Sequence, residues 1–350
     1  MSDLLLVSLG TTRGLRLADA QLVEMLREAG ASVDAVATRI GWTNALRRAY
    51  PVNDLVEAVA ARRALAAGMR AHRPRALVIS TTTAAFLIGD PGVPFAVWLD
   101  SPARLNRPGV LSQPLHVLER RQLARARVLM PHSPGTVAAL PTDAAPSVMV
   151  PPPVPAAPRE GRDPNLREGF VVGYTPDPKA KGLALLCAAW EQTAVPGARL
   201  LIAGIEPERA RAFLARRGAV LPAGAELVGM LPQPSFRDLL ARASVFVSAA
   251  EWEDFGIAPL EALDRGAALV CAPAGGPFPG LGLARSLAAE FVAADRSPAS
   301  LARALEAAFA APPERLAAYR VAAREALEPY RPEASVARIR AEVLPALLGE

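Results

Sequence analysis

The sequence is poor in lysine, cysteine, histidine and aromatic residues, and each shortage argues against a class of protein. Only two of its 39 basic residues are lysines, Lys179 and Lys181, and they stand two positions apart. Its two cysteines, Cys187 and Cys271, form neither a C-x-x-C pair nor a disulfide framework, and read as buried thiols of a reducing compartment. The three histidines, His72, His116 and His132, are too scattered for a metal site. Aromatics make up 5% of the chain and are not interleaved with the basic residues, which argues against a nucleic-acid partner. No apolar run approaches the roughly 20 residues that a membrane-spanning helix needs. The opening run Met1–Leu9 has neither a basic n-region nor a small-residue cleavage site, and reads as a first strand rather than a signal peptide. These absences point to a cytoplasmic protein, with peripheral contact at the inner face of a membrane left open.

What is present suits an enzyme with two cores. The chain has 350 residues, 51% hydrophobic and 21% charged, enough for two domains. Charge is divided unevenly. Residues 1–158 carry 17 arginines against 11 acids, a net of +6, and residues 159–350 carry 22 basic residues against 23 acids, a net of −1. The basic first half points to an anionic partner, such as a phosphorylated or lipid-linked acceptor or a membrane surface, or else to solvated arginine-rich helix faces.

Apolar runs of strand length alternate with helical patterns, the signature of parallel sheets covered on both faces. Strands are expected at Leu4–Leu9, Ser32–Ala37, Ala76–Ser80, Phe95–Leu99, Val128–Met130 and Ser147–Val150. The proline-rich stretch Pro151–Asn165 suits neither a helix nor a central strand. Beyond it the alternation restarts with strands at Phe170–Tyr174, Arg199–Ala203, Glu226–Val228, Val245–Ser248 and Ala268–Cys271. The expected division is a first Rossmann-like domain over 1–155, a linker over 156–168, a second Rossmann-like domain over 169–328 and a final helical segment over 329–350. Two doubly wound domains leave a cleft at the carboxyl ends of their strands, where helix N-termini bind anions.

The chemistry is concentrated in Ser248–Gly276, "SAAEWEDFGIAPLEALDRGAALVCAPAGG". Glu253 lies in the loop after a strand, and Glu261 follows eight positions later, more than a turn into the next helix. Phe255, Gly256 and Ile257 offer N–H groups to a phosphate. Glu261 is suited to accept both hydroxyls of a ribose, and Glu253 those of a sugar. Taken singly, each is equally a solvated glutamate.

This stretch resembles the retaining glycosyltransferases of family four, which have the GT-B fold of two Rossmann-like domains. The resemblance rests on E-x7-E (Glu253, Glu261) within "EDFGIAPLEAL", on Gly275–Gly276 after the next strand, and on Lys181–Gly182. It covers residues 169–310, while the first half matches only in layout. It implies that Glu261 binds the nucleotide ribose, Glu253 lies against the donor sugar and Lys181 binds the diphosphate. By the same resemblance the Gly10–Gly14 turn, which includes Gly10 and Thr11, closes over the donor from the first domain, and the last helix returns to that domain; Arg13 in this turn is either a phosphate ligand or a solvated arginine. The arginine that the family carries shortly before the lysine is missing from "GYTPDPKAKG", where Lys179 is the substitute cation. The family's glutamate after "GG" is replaced by Pro277–Phe278–Pro279. Its first-domain histidine is absent, and Asp100 stands near that place, either as an acceptor-side residue or as a turn or cap.

The implied reaction is glycosyl transfer from a nucleoside-diphosphate sugar to an acceptor hydroxyl, with retention. The sugar nucleotide is a substrate, so no cofactor is expected, and no D-x-D pair follows a strand to call for a metal. Negative charge growing on the leaving diphosphate needs cations and helix N-termini. Glu253 and Lys181 are the expected catalytic residues, and removal of Lys181 is expected to leave the free protein no less stable, since a cation is disfavoured at a helix start. The alternatives are a sugar-nucleotide epimerase, a glycogen- or trehalose-type synthase, or an inactive sugar-nucleotide-binding scaffold. A nicotinamide-dependent oxidoreductase is disfavoured because the first turn reads "GTTRG" rather than G-x-G-x-x-G.

Overall fold

The computed structural model describes residues 2–38, 52–157 and 169–349, so most of the expected linker lies outside the described residues. The chain divides into two compact units, Met1–Pro153 with Pro329–Glu350, and Val154–Glu328. Each is built on one five-stranded sheet, and all strand pairs in both sheets are parallel.

The first sheet has the order β2-β1-β3-β4-β5, with β1 Leu4–Ser8, β2 Val33–Ala37, β3 Ala76–Ser80, β4 Phe95–Leu99 and β5 Val128–Pro131. Period-2 alternation sends β1 side chains to opposite faces. Leu4 and Leu6 join Leu22, Met25 and Leu26 of the helix Arg13–Glu28, whereas Leu5 and Val7 join Ala61 and Leu65 of the helix Val52–His72. Val336, Ile339, Val343 and Leu347 of the C-terminal segment complete the first of these cores. The 3-10 turn Glu328–Tyr330 and the helix Pro332–Arg338 fall where "EPYRP" breaks the helical pattern.

The expected strand at Ser147–Val150 is reduced to a single bridge between Ser147 and Leu129, followed by hydrogen bonds from the Val148 and Val150 N–H groups to the Leu129 and Pro131 carbonyls. Pro146 and Pro151 flank the segment and have no N–H with which to extend a ladder.

The second sheet has the order β10-β9-β6-β7-β8, with β6 Phe170–Tyr174, β7 Arg199–Ala203, β8 Ala225–Gly229, β9 Val245–Ser248 and β10 Ala268–Cys271. From β6 the chain winds outward through β7 and β8, then returns to β9 on the other side. The switch of direction therefore falls between β6 and β9, where ligands of open α/β sheets bind. Ala157 N–H donates to the Asp264 carboxylate at 2.7 Å, which fixes the chain entering this unit.

Glu119 is 3% exposed and accepts from the Ala103 N–H at 2.7 Å. Burial pushes its carboxyl up from its ordinary 4.5 to about 7, against the smaller opposing effects of the Ala103 and Thr82 hydrogen bonds and of Arg107 and Arg104. Because the folded value lies above the unfolded one, stability is greatest below pH 4.5 for this group and falls as pH rises to about 7. Glu119→Gln is expected to remove that pH dependence, worth roughly 3 kcal/mol at about 1.4 kcal/mol per unit. Urea unfolding of both proteins at pH 5 and pH 8 checks it, and parallel curves would contradict it.

Candidate active site

Lys181 and Glu253 lie 72 positions apart in the chain and meet in the second unit, where Lys181 Nζ donates to Glu253 Oε2 at 2.6 Å. The loops after β6 and β9 bring them together at the switch point. Glu251 N–H donates to the Ala180 carbonyl at 2.8 Å, tying one loop to the other. The Asp177 carboxylate accepts from the Lys179 and Ala180 N–H groups and shapes the turn that carries Lys181. Gly182 follows in the left-handed region at φ +68, and a Cβ there would overlap the Ala249 carbonyl, so the lysine turn and the β9 loop approach as only glycine allows.

The helix expected from Lys181 starts two residues later, at Leu183, with Gly182 as its N-cap. A left-handed residue cannot continue the helix, and both lysines therefore precede it. Lys179 is exposed, and its side chain has no partner among the described residues. Thr175, near the place of the missing arginine, is 2% exposed with its hydroxyl unpaired.

Glu253 is enclosed, its side chain 13% exposed against 23% for Lys181. Burial pushes the Glu253 carboxyl up, while Lys181 opposes the shift as its neighbouring cation. The expectation that loss of Lys181 leaves the free protein no less stable is therefore corrected, because the loss would strand a buried carboxylate.

The paired glycines also have a steric explanation. Gly275 passes Trp252 so closely that a Cβ would stand 2.7 Å from its ring, and a Cβ on Gly276, at φ +89, would overlap the Glu253 carbonyl. Glu253 N–H donates to the Gly275 carbonyl at 3.1 Å.

Gly256 is the N-cap of the helix Ile257–Asp264, left-handed at φ +72, with Phe278 and the Glu253 side chain packed where a Cβ would be. Having no side chain, Gly256 makes no cap hydrogen bond, and the Gly256 and Ile257 amides stand at the helix start, where an anion is favoured. Phe255 is buried in the same loop. Phe278, which stands where the family has its glutamate, covers Gly256 with an apolar ring.

Glu261 is 4% exposed, one turn along the same helix. Its Oε1 accepts from Arg237 Nε at 2.9 Å and from a terminal guanidinium nitrogen at 2.8 Å. Among the described residues both of these donors fall on Oε1. Arg237, on the helix Gln233–Arg242, is not legible as a site residue in the sequence.

Arg296 is a second residue without a sequence signal. Its guanidinium donates to the carbonyls of Ala249 at 3.0 Å, Ala250 at 2.5 Å and Pro273 at 2.6 Å. It clasps the loops after β9 and β10, which carry Glu253 and Gly275–Gly276.

The remaining candidates lie in the first unit. Gly10 takes φ +59, and its carbonyl accepts from the Arg16 guanidinium at 2.8 Å. Thr11 follows, and Thr12 caps a helix that begins at Arg13, four residues earlier than the apolar pattern indicates. Under this turn the buried Asp19 accepts from the hydroxyls of Ser8 and Ser80, at the ends of β1 and β3, and burial pushes its carboxyl up. Asp100 follows β4 and accepts from the Ser101 N–H at 2.7 Å, a turn contact.

Among the described residues no group of three or more His, Cys, Asp or Glu side chains could hold a metal ion. No helix among them is long and apolar enough to cross a membrane.

Two units, each built on a parallel sheet of doubly wound α/β type, are the architecture of the GT-B fold. Residues 165–326 match the family model described as glycosyl transferases group 1, and the chain is a glycosyltransferase of GT-B fold. Among solved structures, sucrose-phosphate synthase from Thermosynechococcus elongatus has a TM-score of 0.72 at 16% identity, over 96% of each chain. WaaG, a glycosyltransferase involved in lipopolysaccharide biosynthesis, has a TM-score of 0.68 at 14% identity, over 97% of this chain and 99% of its own. HepE from Anabaena, solved in complex with UDP-glucose, has a TM-score of 0.66 at 16% identity, over 98% and 99%. No curated protein matches the sequence significantly.

Proposed function

We propose that the protein transfers a sugar from a nucleoside-diphosphate sugar to an acceptor hydroxyl with retention of anomeric configuration and without a metal. The observation that carries this reading is the Lys181–Glu253 pair beside the uncapped Ile257–Asp264 helix. In the reaction the bond from the anomeric carbon to the diphosphate breaks and a bond to the acceptor oxygen forms. The diphosphate leaves with the electron pair, and the acceptor's proton is released. Lys181 and the amides of Gly256 and Ile257 neutralise the growing charge, with Phe255 shaping their loop. Lys179, exposed beside Lys181, supplies a second cation. Glu253 faces the donor sugar, and Glu261 accepts from the ribose hydroxyls through Oε2 while Arg237 holds Oε1. HepE was solved with UDP-glucose, which makes uridine diphosphate sugars the first donors to test.

Glu261→Ala is expected to weaken binding of the matching nucleoside diphosphate by about 1–3 kcal/mol. Arg237→Leu should weaken it less, because the acceptor atoms remain. Thermal denaturation against a panel of nucleoside diphosphates reads both effects, since binding to the native state raises stability by RT ln(1 + [L]/Kd). Equal stabilisation of wild type and Glu261→Ala would reject the ribose assignment. Glu253→Gln should instead slow turnover while the nucleoside diphosphate still binds. Product anomers identified by NMR decide between retention and inversion.

A further inference from the structure

The most exposed aliphatic cluster among the described residues lies in the first unit and has no role in the chemistry above. Val110 is 83% exposed and Leu111 80%, at the tip of the turn between the helices Ala103–Asn106 and Gln113–Arg125, and Val117 on the second helix is 67% exposed. Pro114, Val117, Arg121 and Ala124 recur every three or four residues along one exposed stripe of that helix. Its other side is packed through Leu115, Glu119, Gln122 and Leu123.

The stripe is apolar at its start and basic at its end. Arg104, Arg120, Arg121, Arg125 and Arg127 are all exposed, whereas the only acids from 91 to 142 are the half-buried Asp100 and the buried Glu119. Arg120 pairs with Asp143 and Arg125 with Asp90, both near the surface. Arg104 spends a hydrogen bond on the Ala139 carbonyl and keeps its charge. Five exposed arginines against two partner carboxylates leave three positive charges on the segment that carries the apolar tip.

We infer that this tip and stripe form a docking surface for an anionic lipid membrane, with Val110 and Leu111 entering the headgroup region and the arginines meeting lipid phosphates. Aliphatic side chains beside a basic helix face are the composition that binds such an interface. Three aliphatic side chains fall far short of the roughly 800 Å² per partner that a stable protein interface buries, so a second copy of the chain fits this surface poorly. Arginine also suits phosphate, through its planar fork of donors.

Co-sedimentation of the full chain with vesicles of phosphatidylcholine, with and without phosphatidylglycerol, tests the inference. Binding is expected only with phosphatidylglycerol, and it should weaken as salt rises, because exposed charges are screened over about 10 Å at 0.1 M. The double variant Val110→Asp/Leu111→Asp and the single variant Arg121→Glu should each weaken binding by roughly ten-fold. Both should keep the wild-type melting temperature and nucleotide affinity. No sedimentation with phosphatidylglycerol would overturn the inference, as would unchanged binding by the double variant. A concentration-dependent dimer abolished by Val110→Asp/Leu111→Asp would also overturn it, by assigning the surface to a second copy.

Discussion

Replacement of Lys181 by methionine is expected to lower donor affinity or turnover by about 2–4 kcal/mol, roughly 30- to 900-fold. The ammonium is the only cation bonded to Glu253, at 2.6 Å among the described residues, and its side chain is mostly enclosed. Its loss removes a charge-assisted contact to the diphosphate and strands the Glu253 carboxylate. Lys181→Arg should rescue only in part, since a planar guanidinium does not fit where a compact ammonium sits against one carboxylate oxygen. Lys179→Met should cost less. Stability adds a pH signature. Burial already raises the Glu253 carboxyl, and loss of Lys181 raises it further, so protonation is more strongly favoured in the folded state. The variant should match wild type in acid, where Glu253 is protonated in both, and fall behind as pH rises through the raised folded value. Steady-state kinetics and urea unfolding at acid and neutral pH measure the two effects. Wild-type activity in Lys181→Met would remove the diphosphate role.

Arg296→Met is expected to destabilise the protein by about 2–4 kcal/mol, through lost charge-assisted hydrogen bonds to three carbonyls. The carbonyls of Ala249, Ala250 and Pro273 belong to two loops whose other contacts carry the site. Ala249 is the residue against which Gly182 packs, and the Glu253 N–H bonds to Gly275 in the loop beyond Pro273. Loosening the clasp should therefore lower donor affinity together with the melting temperature. Lysine should rescue poorly, because one ammonium cannot span three acceptors in the fixed directions of a guanidinium. A melting temperature equal to wild type would show that Arg296 does not hold these loops.

By itself the sequence determined the two parallel sheets, most strand boundaries and the identity of Lys181, Glu253, Gly256 and Glu261 as candidates. These are local properties. Strands buried on both faces read as continuous apolar runs, and a strand–loop–helix passage fixes which residues stand at a strand end. The resemblance to known glycosyltransferases was legible because a short segment carries it. Helix starts were less legible, since Gly182 and Gly256 act through their backbone conformation, and Arg13 begins a helix four residues before its apolar stripe does.

What only the tertiary structure decided involves partners far apart in the chain. Arg237 and Arg296 look like any other arginine of an arginine-rich sequence, and became identifiable when folding set them against Glu261 and the loop carbonyls. The glycine pair gained its reason from Trp252 and the Glu253 carbonyl, and the lysine pair split into a half-buried member bonded to Glu253 and an exposed one. The arginines of the Gln113–Arg125 helix divided in the same way, two of them neutralised by Asp90 and Asp143 and the rest left charged. Long-range pairing depends on which loops the sheet order brings side by side, and neither composition nor periodicity encodes that order directly. The β6/β9 switch point, formed only when β9 pairs with β6, is what turned two separate motifs into one site.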